Sequence, residues 1–377
     1  MDSTINKIQM VDLKGQYLAI KEEIATAMQE VLDDTAFIKG AAVSEFEKEL
    51  AHYCGVNHIV SCGNGTDALQ IAMMALGFEP GDEVILPVHT YVATAEVIAL
   101  LRLKPVFVDV DPQTFNIDLD QVESKITDKS VAIVPVHLYG QCADMERLLK
   151  IAEKHNLKII EDTAQAIGAE YTFADGAKKQ AGTMGDIGTT SFFPSKNLGC
   201  FGDGGAMMIN DQKIADSCKM IANHGQEKKY HHDVIGVNSR LDTLQAAILR
   251  VKLKYLTQYS TRRQEAAAYY DQHLADVPHV ITPVKAPNST HVYHQYTLKT
   301  NGIDRDKFKA YLADKGIPTM IYYPVPLHHQ KAYKSLSSES FPVAEELSRV
   351  VISLPIHTEM NTATQDYIIE SIRAFGN

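Results

Sequence analysis

Residues 189–208 read TTSFFPSKNLGCFGDGGAMM, and the fold turns on how this stretch is placed. TTSFF and GAMMIN, at its two ends, are short runs of strand-forming type. Between them a Pro194-Ser195-Lys196 turn and a scatter of glycines leave one ammonium group among small and apolar residues. No acidic residue follows until Asp203. Working outward from this stretch, the chain from about Asn57 to Asn210 alternates two patterns. The runs HIVSC, EVILP, PVFVDV, VAIVPVH and KIIED read as strands. TDALQIAMMALG, TYVATAEVIALLR, LDQVESKI and MERLLKIAEKHN carry apolar residues at helical spacing. Strands that are apolar on both faces and alternate with helices predict a largely parallel sheet covered on two sides.

Punctuation supports the helices. Gly77 closes one in the left-handed position, and Lys154 with His155 ends another near its negative pole. DQKIADSCKMIANHG is a further helix ending in glycine. After the polar loop QEKKYHHDVIGVNS, Leu241 to Leu274 reads as one or two long helices. YHQYTLKT, DRDKFKAYLADKG and PTMIYYP then predict strand, helix, strand, with helices to the end. The expected organisation is a large α/β domain over residues 1–250, with an N-terminal helical segment, and a smaller α+β domain over residues 251–377.

Composition narrows the function. Lys+Arg 36 against Asp+Glu 47 gives a net charge of −11, which argues against nucleic acid or an anionic membrane surface as partner. Cys54, Cys62, Cys142, Cys200 and Cys218 form no CxxC pair, so reduced core thiols and a cytoplasmic location are expected. MDSTINKIQMVDLKGQ has no apolar signal core, and no apolar run reaches ~18 residues. HExxH, GxSxG and EF-hand patterns are missing. The pairs His231-His232 and His328-His329 are expected to point apart on regular elements, so no metal site is expected.

Four features fall at the ends of strands or in the turns after them, where open α/β sheets bind ligands. Gly63, Asn64, Gly65 and Thr66 open a helix. They suit an anion, through free N–H groups, or a plain turn capped by Thr66 or Asp67. Glu161 and Asp162 end KIIED, with Gln165 following; a carboxylate there caps a helix or holds a positive ligand atom. Tyr91 opens a helix and can stack on a planar ligand or simply pack. Lys196 is either a snorkelling surface lysine or a desolvated amine with a lowered pKa, able to form a Schiff base. Taken jointly, an anion cradle, a stacking ring, a carboxylate and an isolated lysine are the parts pyridoxal phosphate requires.

With VDLKGQY, NGTDALQ, TYVATAE, VDVDPQTFNID, PVHLYGQCADM, EDTAQAIGA, SFFPSKNLGCFGDGGA, NHGQ and GVNSRLDTLQAAIL in place, the chain resembles the DegT-type nucleotide-sugar aminotransferases. These are fold-type I pyridoxal-phosphate enzymes, and the resemblance runs over nearly the whole chain. It implies a mostly parallel large-domain sheet with a smaller C-terminal α+β domain, and pyridoxal 5'-phosphate as cofactor. It also implies that Lys196 forms the Schiff base and moves protons. Asp162 would pair with the pyridinium nitrogen, Gln165 would lie by the ring, and Tyr91 would stack on it. Gly65, Thr66 and Ser191 would hold the phosphate, joined by Asn238 from the neighbouring subunit of a homodimer. Some relatives carry histidine in place of the lysine and are dehydratases; Lys196 favours transamination, with L-glutamate as donor.

The resemblance is greatest to the subgroup acting on UDP-2-acetamido-2-deoxy-3-oxo-glucuronate, which serves surface polysaccharide (LPS O-antigen) synthesis. Arg240 is the candidate for the uronate carboxylate, and Lys228, Lys229 and His231 for the diphosphate. Tyr322 and Tyr323 belong to the substrate loop, where relatives have His-Tyr. Alternatives are a 3- or 4-keto-6-deoxy sugar nucleotide (dTDP-, UDP- or GDP-linked) as acceptor, or a non-catalytic, cofactor-sensing regulator. A lysine-dependent lyase or desulfurase would need a reactive cysteine, and Cys200 has no evident activating base.

Overall fold

The computed structural model describes residues 7–376. Met1–Asn6, part of the N-terminal stretch read for a signal, and Asn377 lie outside the described residues. The strands are β1 (His58–Cys62), β2 (Glu83–Pro87), β3 (Lys104–Val108), β4 (Ser130–Ile133) and β5 (Lys158–Asp162). A small hairpin, β6 (Glu170–Thr172) and β7 (Lys178–Gln180), precedes β8 (Ile187–Ser191) and β9 (Gly205–Ile209). Seven of these form one sheet in the order β1-β9-β8-β5-β4-β2-β3. Only β9 runs against its neighbours, pairing antiparallel with both β1 and β8. The stretch at 189–208 is therefore the reversal point of an otherwise parallel sheet.

The helices Gly65–Ala75, Ala93–Leu100 and Gln212–Ala222 cover one face. They close a core in which Leu69, Met73, Val97 and Cys218 meet Val84, Leu86 and Met207. On the other side, Met145, Leu148 and Ile151 of the helix Met145–His155 pack with Ile85, Ile133 and Ile159. β2 and β9 are buried at every position, as strands sandwiched between helices must be. The helix Ala41–Cys54 packs behind the lysine turn, with Phe46 edge-on to Phe192 at 5.4 Å.

The long helical run divides into Thr243–Leu253 and Leu256–Leu274. The second helix shares a core with the antiparallel sheet of β10 (Val280–Ile281), β11 (Tyr296–Thr300) and β12 (Val351–Leu354) and with the helices Arg305–Asp314 and Thr362–Arg373. Two expectations fail here. PTMIYYP is no strand; among the described residues it pairs with the sheet by a Met320–Ser353 bridge, and Tyr322-Tyr323 leave to meet the large sheet's loops. The place beside β11 goes instead to VISL, a short, mostly apolar run inside what reads as helix, because a run of that length serves either structure. Among the described residues no helix is long and apolar enough to cross a membrane.

Candidate active site

The first loop follows β1. The helix Gly65–Ala75 is capped by Asn64, whose side chain accepts from the Asp67 N–H at 2.8 Å, and neither Thr66 nor Asp67 is the cap. Helix geometry leaves the N–H groups of Gly65 and Thr66 without intrahelical acceptors. The space in front of them is tight. A Cβ on Gly65 would lie 2.8 Å from Ser191 Cβ, and one on Gly205 would lie 2.4 Å from the Asn64 carbonyl carbon. Glycine at both positions thus lets the turn sit directly on the ends of β8 and β9. Ser239, unremarked in the sequence, locks the same turn: Gly63 N–H donates to its Oγ at 2.8 Å, and Oγ donates to Asp67 Oδ2 at 2.6 Å. Its neighbours Asn238, which is exposed, and Arg240, which is partly buried, are thereby carried beside the turn. Arg240 has no ion-pair partner among the described residues.

At the end of β5, strand alternation separates two adjacent carboxylates. Glu161 points into the protein and is fully buried. It accepts from the backbone N–H of Gly182, Met184 and Gly185 at 2.6–2.8 Å and bonds His137 Nε2 at 2.9 Å. Asp162 points the other way, toward the loops. Its Oδ2 accepts from Thr94 Oγ1 at 3.0 Å and its Oδ1 from the Ala164 N–H at 3.1 Å. Of the two, only Asp162 is offered to a ligand. Thr94, lying within TYVATAE, was legible in the sequence only as part of a helix.

Lys196 sits between β8 and β9 in a turn closed by its own N–H to the Phe193 carbonyl at 2.8 Å. A Cβ on Gly199 would lie 2.4 Å from the Pro194 carbonyl oxygen, so glycine is what lets the turn close. The residue is partly accessible, but its amine is enclosed. Burial, partly offset by the Asp162 charge, pushes its pKa down to about 8. Next to it, Asn197 donates to the Val292 carbonyl at 3.0 Å, tying the turn to the segment that carries the buried His294. Cys200 is no candidate nucleophile. Its thiol bonds the Phe192 and Gly202 carbonyls, and burial raises its pKa to about 11.

Gln165 and the tyrosines complete the group. Gln165 accepts from the Tyr139 N–H at 2.8 Å and donates to the Tyr323 hydroxyl at 3.0 Å. Tyr323 faces Tyr91, ring centroids 6.2 Å apart, and Tyr91 is 58% exposed, so its ring is open to a partner. Tyr322 is half-buried beside Gln295. The fold thus brings Gly65, Thr66, Tyr91, Asp162, Gln165, Ser191, Lys196, Tyr322 and Tyr323 to one end of the sheet.

Lys228, Lys229 and His231 lie apart from this group in an exposed loop, with Lys229 Nζ 5.1 Å from the Tyr230 ring centroid. His328 and His329 do not point apart. They share a short 3-10 turn, their rings 3.9 Å between centroids and within reach of Glu345. Glu345 Oε1, however, already accepts from the Phe341 N–H and Ser340 Oγ and bonds His328 Nε2. That oxygen is committed to holding the start of the helix Pro342–Val350.

These donors fit pyridoxal phosphate. Free N–H groups among small residues suit its phosphate, the outward-facing Asp162 suits a protonated ring nitrogen, and a lysine near neutrality suits its aldehyde. A seven-stranded sheet of this order, with a single antiparallel strand, is the large-domain architecture of the fold-type I pyridoxal-phosphate enzymes. The DegT/DnrJ/EryC1/StrS aminotransferase family matches residues 18–373, and the chain belongs to that family of sugar aminotransferases. It is 45% identical over 372 residues, 98% of each chain, to a pleiotropic regulatory protein of Geobacillus stearothermophilus. It is 46% identical over 357 residues to the UDP-2-acetamido-2-deoxy-3-oxo-D-glucuronate aminotransferase of Pseudomonas aeruginosa, covering 95% of this chain and 97% of that one. The crystal structure of S. venezuelae DesV in complex with a ketimine intermediate superposes with a TM-score of 0.93 at 40% identity, over 98% of both chains.

Proposed function

We propose that this protein moves the amino group of L-glutamate onto a keto-sugar nucleotide, with UDP-2-acetamido-2-deoxy-3-oxo-glucuronate as acceptor. The observation that carries the chemistry is the enclosed amine of Lys196, its pKa lowered to about 8, beside the outward-facing Asp162. The acceptor is supported by the 46% identity to the Pseudomonas enzyme over almost the whole of both chains. Pyridoxal phosphate, when bound, supplies an aldehyde that condenses with amines and a ring that takes up the electron pair released at the neighbouring carbon.

The chain's residues do the rest. Lys196 Nζ, neutral in a useful fraction of molecules, would carry protons between substrate and cofactor carbons. Asp162, oriented by Thr94 and the Ala164 N–H, would pair with the protonated ring nitrogen. Gly65 and Thr66 N–H groups and Ser191 bind the phosphate, with Asn238 reaching in from the second subunit of a homodimer. Gln165 and Tyr91 fix the ring. Arg240, without an ion pair among the described residues, would take the uronate carboxylate, the exposed loop of Lys228, Lys229 and His231 would serve the diphosphate, and Tyr322-Tyr323 would lie over the sugar. The setting would be the cytoplasm, and the product a 3-amino uronic acid for surface polysaccharide. Residues 1–250 and 251–377 are the proposed domains.

Purified protein with cofactor and glutamate, offered a panel of keto-sugar nucleotides, tests the proposal by release of 2-oxoglutarate. Turnover confined to neutral 6-deoxy sugars would remove the uronate acceptor. The name of the Geobacillus relative favours a second reading, a regulator that binds the cofactor without turnover. That reading requires a cofactor absorption band that glutamate leaves unchanged.

A further inference from the structure

Tyr139 lies in the PVHLYGQ run, where the sequence offers no reason to single it out. It is 2% exposed, and its backbone is left-handed, with φ of 59° in the short turn Leu138–Gly140. A non-glycine residue in this region costs about 1 kcal/mol or more and persists only where its surroundings hold it. Four attachments do so. The Tyr139 N–H donates to Gln165 Oε1 at 2.8 Å, and its carbonyl accepts from the Gln295 N–H at 3.2 Å. Its hydroxyl donates to the Tyr322 carbonyl and lies 3.2 Å from His89 Nε2. With the hydroxyl proton directed to the Tyr322 carbonyl, the hydroxyl oxygen can accept from His89, whose imidazole also bonds the Tyr322 backbone. Burial holds the His89 pKa near 4, so the ring is neutral at pH 7.

The geometry points to Tyr139 as a positioning residue that clamps the Tyr322-Tyr323 segment onto the loops after the sheet strands. One residue joins the loop after β2 (His89), the loop after β5 (Gln165), the segment before β11 (Gln295) and the Tyr322 backbone. Through Gln165, whose amide it orients, it also sets the donor that Tyr323 receives at 3.0 Å. Apolar packing completes the contact: Phe115 stands edge-on to Tyr139 at 5.3 Å, and Val110, Leu347 and Val351 share its cluster. Tyr322-Tyr323 begins as part of a segment that leaves the small sheet after a single bridge at Met320. Its other ties to the large domain include the Gln165–Tyr323 bond, the Tyr323 ring against His89 and Tyr91, and the Leu327 N–H to the Val88 carbonyl at 3.1 Å; the Tyr139 hydroxyl holds its backbone at Tyr322. Among the described residues Tyr139 makes no hydrogen bond to the proposed phosphate turn or to Lys196, so its influence is on where the segment lies.

The kinetic consequence rests on the amino-transfer reading; the structural consequence does not. Tyr139→Phe keeps the ring and its packing and removes the hydroxyl, leaving the Tyr322 carbonyl and His89 Nε2 without this partner. In holoenzyme, hydrogen exchange of the peptide covering residues 318–326 is expected to quicken roughly tenfold while β2, β5 and β8 keep wild-type protection. The KM for the sugar nucleotide is expected to rise roughly tenfold with kcat changed by less than about threefold, and cofactor absorbance unchanged. Wild-type exchange in 318–326 together with a wild-type KM overturns the clamp. If the variant instead exchanges faster throughout the sheet, Tyr323→Phe decides. It removes only the bond from Gln165, and faster exchange confined to 318–326 supports the clamp, while unchanged exchange overturns it. Should wild-type protein transfer no amino group to any keto-sugar nucleotide, the amino-transfer reading falls and the exchange comparison still settles the clamp.

Discussion

Glu161→Gln and Asp162→Asn make the same chemical change at adjacent residues and are expected to have opposite phenotypes. Glu161 Oε1 accepts two fixed backbone donors, Met184 and Gly185, and Oε2 accepts Gly182 N–H and faces His137 Nε2. Glutamine can present its carbonyl to only one of these pairs. If it keeps Met184 and Gly185, its NH₂ confronts the Gly182 N–H and the imidazole. Shifting the imidazole proton gives no relief, because His137 Nδ1 already accepts from the Ala143 N–H at 3.1 Å. At least two buried donors are then left without acceptors, at ~1–3 kcal/mol each, or ~2–6 kcal/mol together. For a chain of 377 residues the unfolding entropy is ~0.8 kcal/mol/K, so Tm should fall by roughly 3–8 °C.

Asp162→Asn leaves the Ala164 bond intact, and the Thr94 hydroxyl can turn round to accept from the new NH₂. Its stability cost should be below about 1 kcal/mol, while amino transfer should fall by orders of magnitude. The comparison is made on cofactor-free protein at one concentration and one scan rate, since large proteins often unfold irreversibly. A larger Tm loss for Asp162→Asn than for Glu161→Gln would refute the assignment of the two carboxylates to opposite faces.

Other expectations are quickly stated. Lys196→Ala should abolish turnover in the glutamate assay; a rate within about tenfold of wild type would remove Lys196 from its role. Because burial lowers the Lys196 pKa to about 8, the neutral, reactive amine gains as pH rises. Uptake of pyridoxal phosphate by the cofactor-free protein, followed by absorbance, should therefore climb with a midpoint near 8 and level off above it. A midpoint near that of an ordinary lysine, about 10.4, would contradict the enclosure. Gly205→Ala drives a methyl group against the Asn64 carbonyl and should weaken retention of the cofactor on dialysis at least roughly tenfold; unchanged retention would show that the turn yields.

The sequence made the large sheet legible because its strands are short, apolar on both faces and separated by strongly periodic helices. HIVSC, EVILP and KIIED coincide with β1, β2 and β5 to the residue. VAIVPVH reaches beyond β4, which ends at Ile133: Pro135 has no N–H to donate, and pairing past it survives as a single Val136–Asp162 bridge. In the C-terminal part the pattern was weaker. PTMIYYP and VISL are both apolar enough for an edge strand, and local composition could not say which would pair with β11. The choice falls to distant partners, since the Tyr322 carbonyl and the Tyr323 hydroxyl find theirs on the loops of the large sheet.

The same distinction separates the site residues that were legible from those that were not. Lys196, Asp162 and Gly65 stand out because their type is unusual for their place: an isolated amine, a carboxylate closing an apolar strand, a glycine opening a helix. Thr94, Ser239 and Tyr139 are ordinary residues in ordinary surroundings, and each acts by bonding something far away in the chain. Thr94 reaches Asp162 across 68 positions, Ser239 reaches Gly63 across 176, and Tyr139 reaches Tyr322 across 183. A group that meets the ligand must have the ligand's complementary chemistry, which constrains its type and leaves a mark in the sequence. A group that holds another residue in place needs only a hydrogen bond and the right position, and position is what the fold alone supplies. Substitutions at Thr94, Ser239 and Tyr139 should therefore alter how well the site is arranged while leaving its chemistry intact, and their losses should be graded where that of Lys196→Ala is complete.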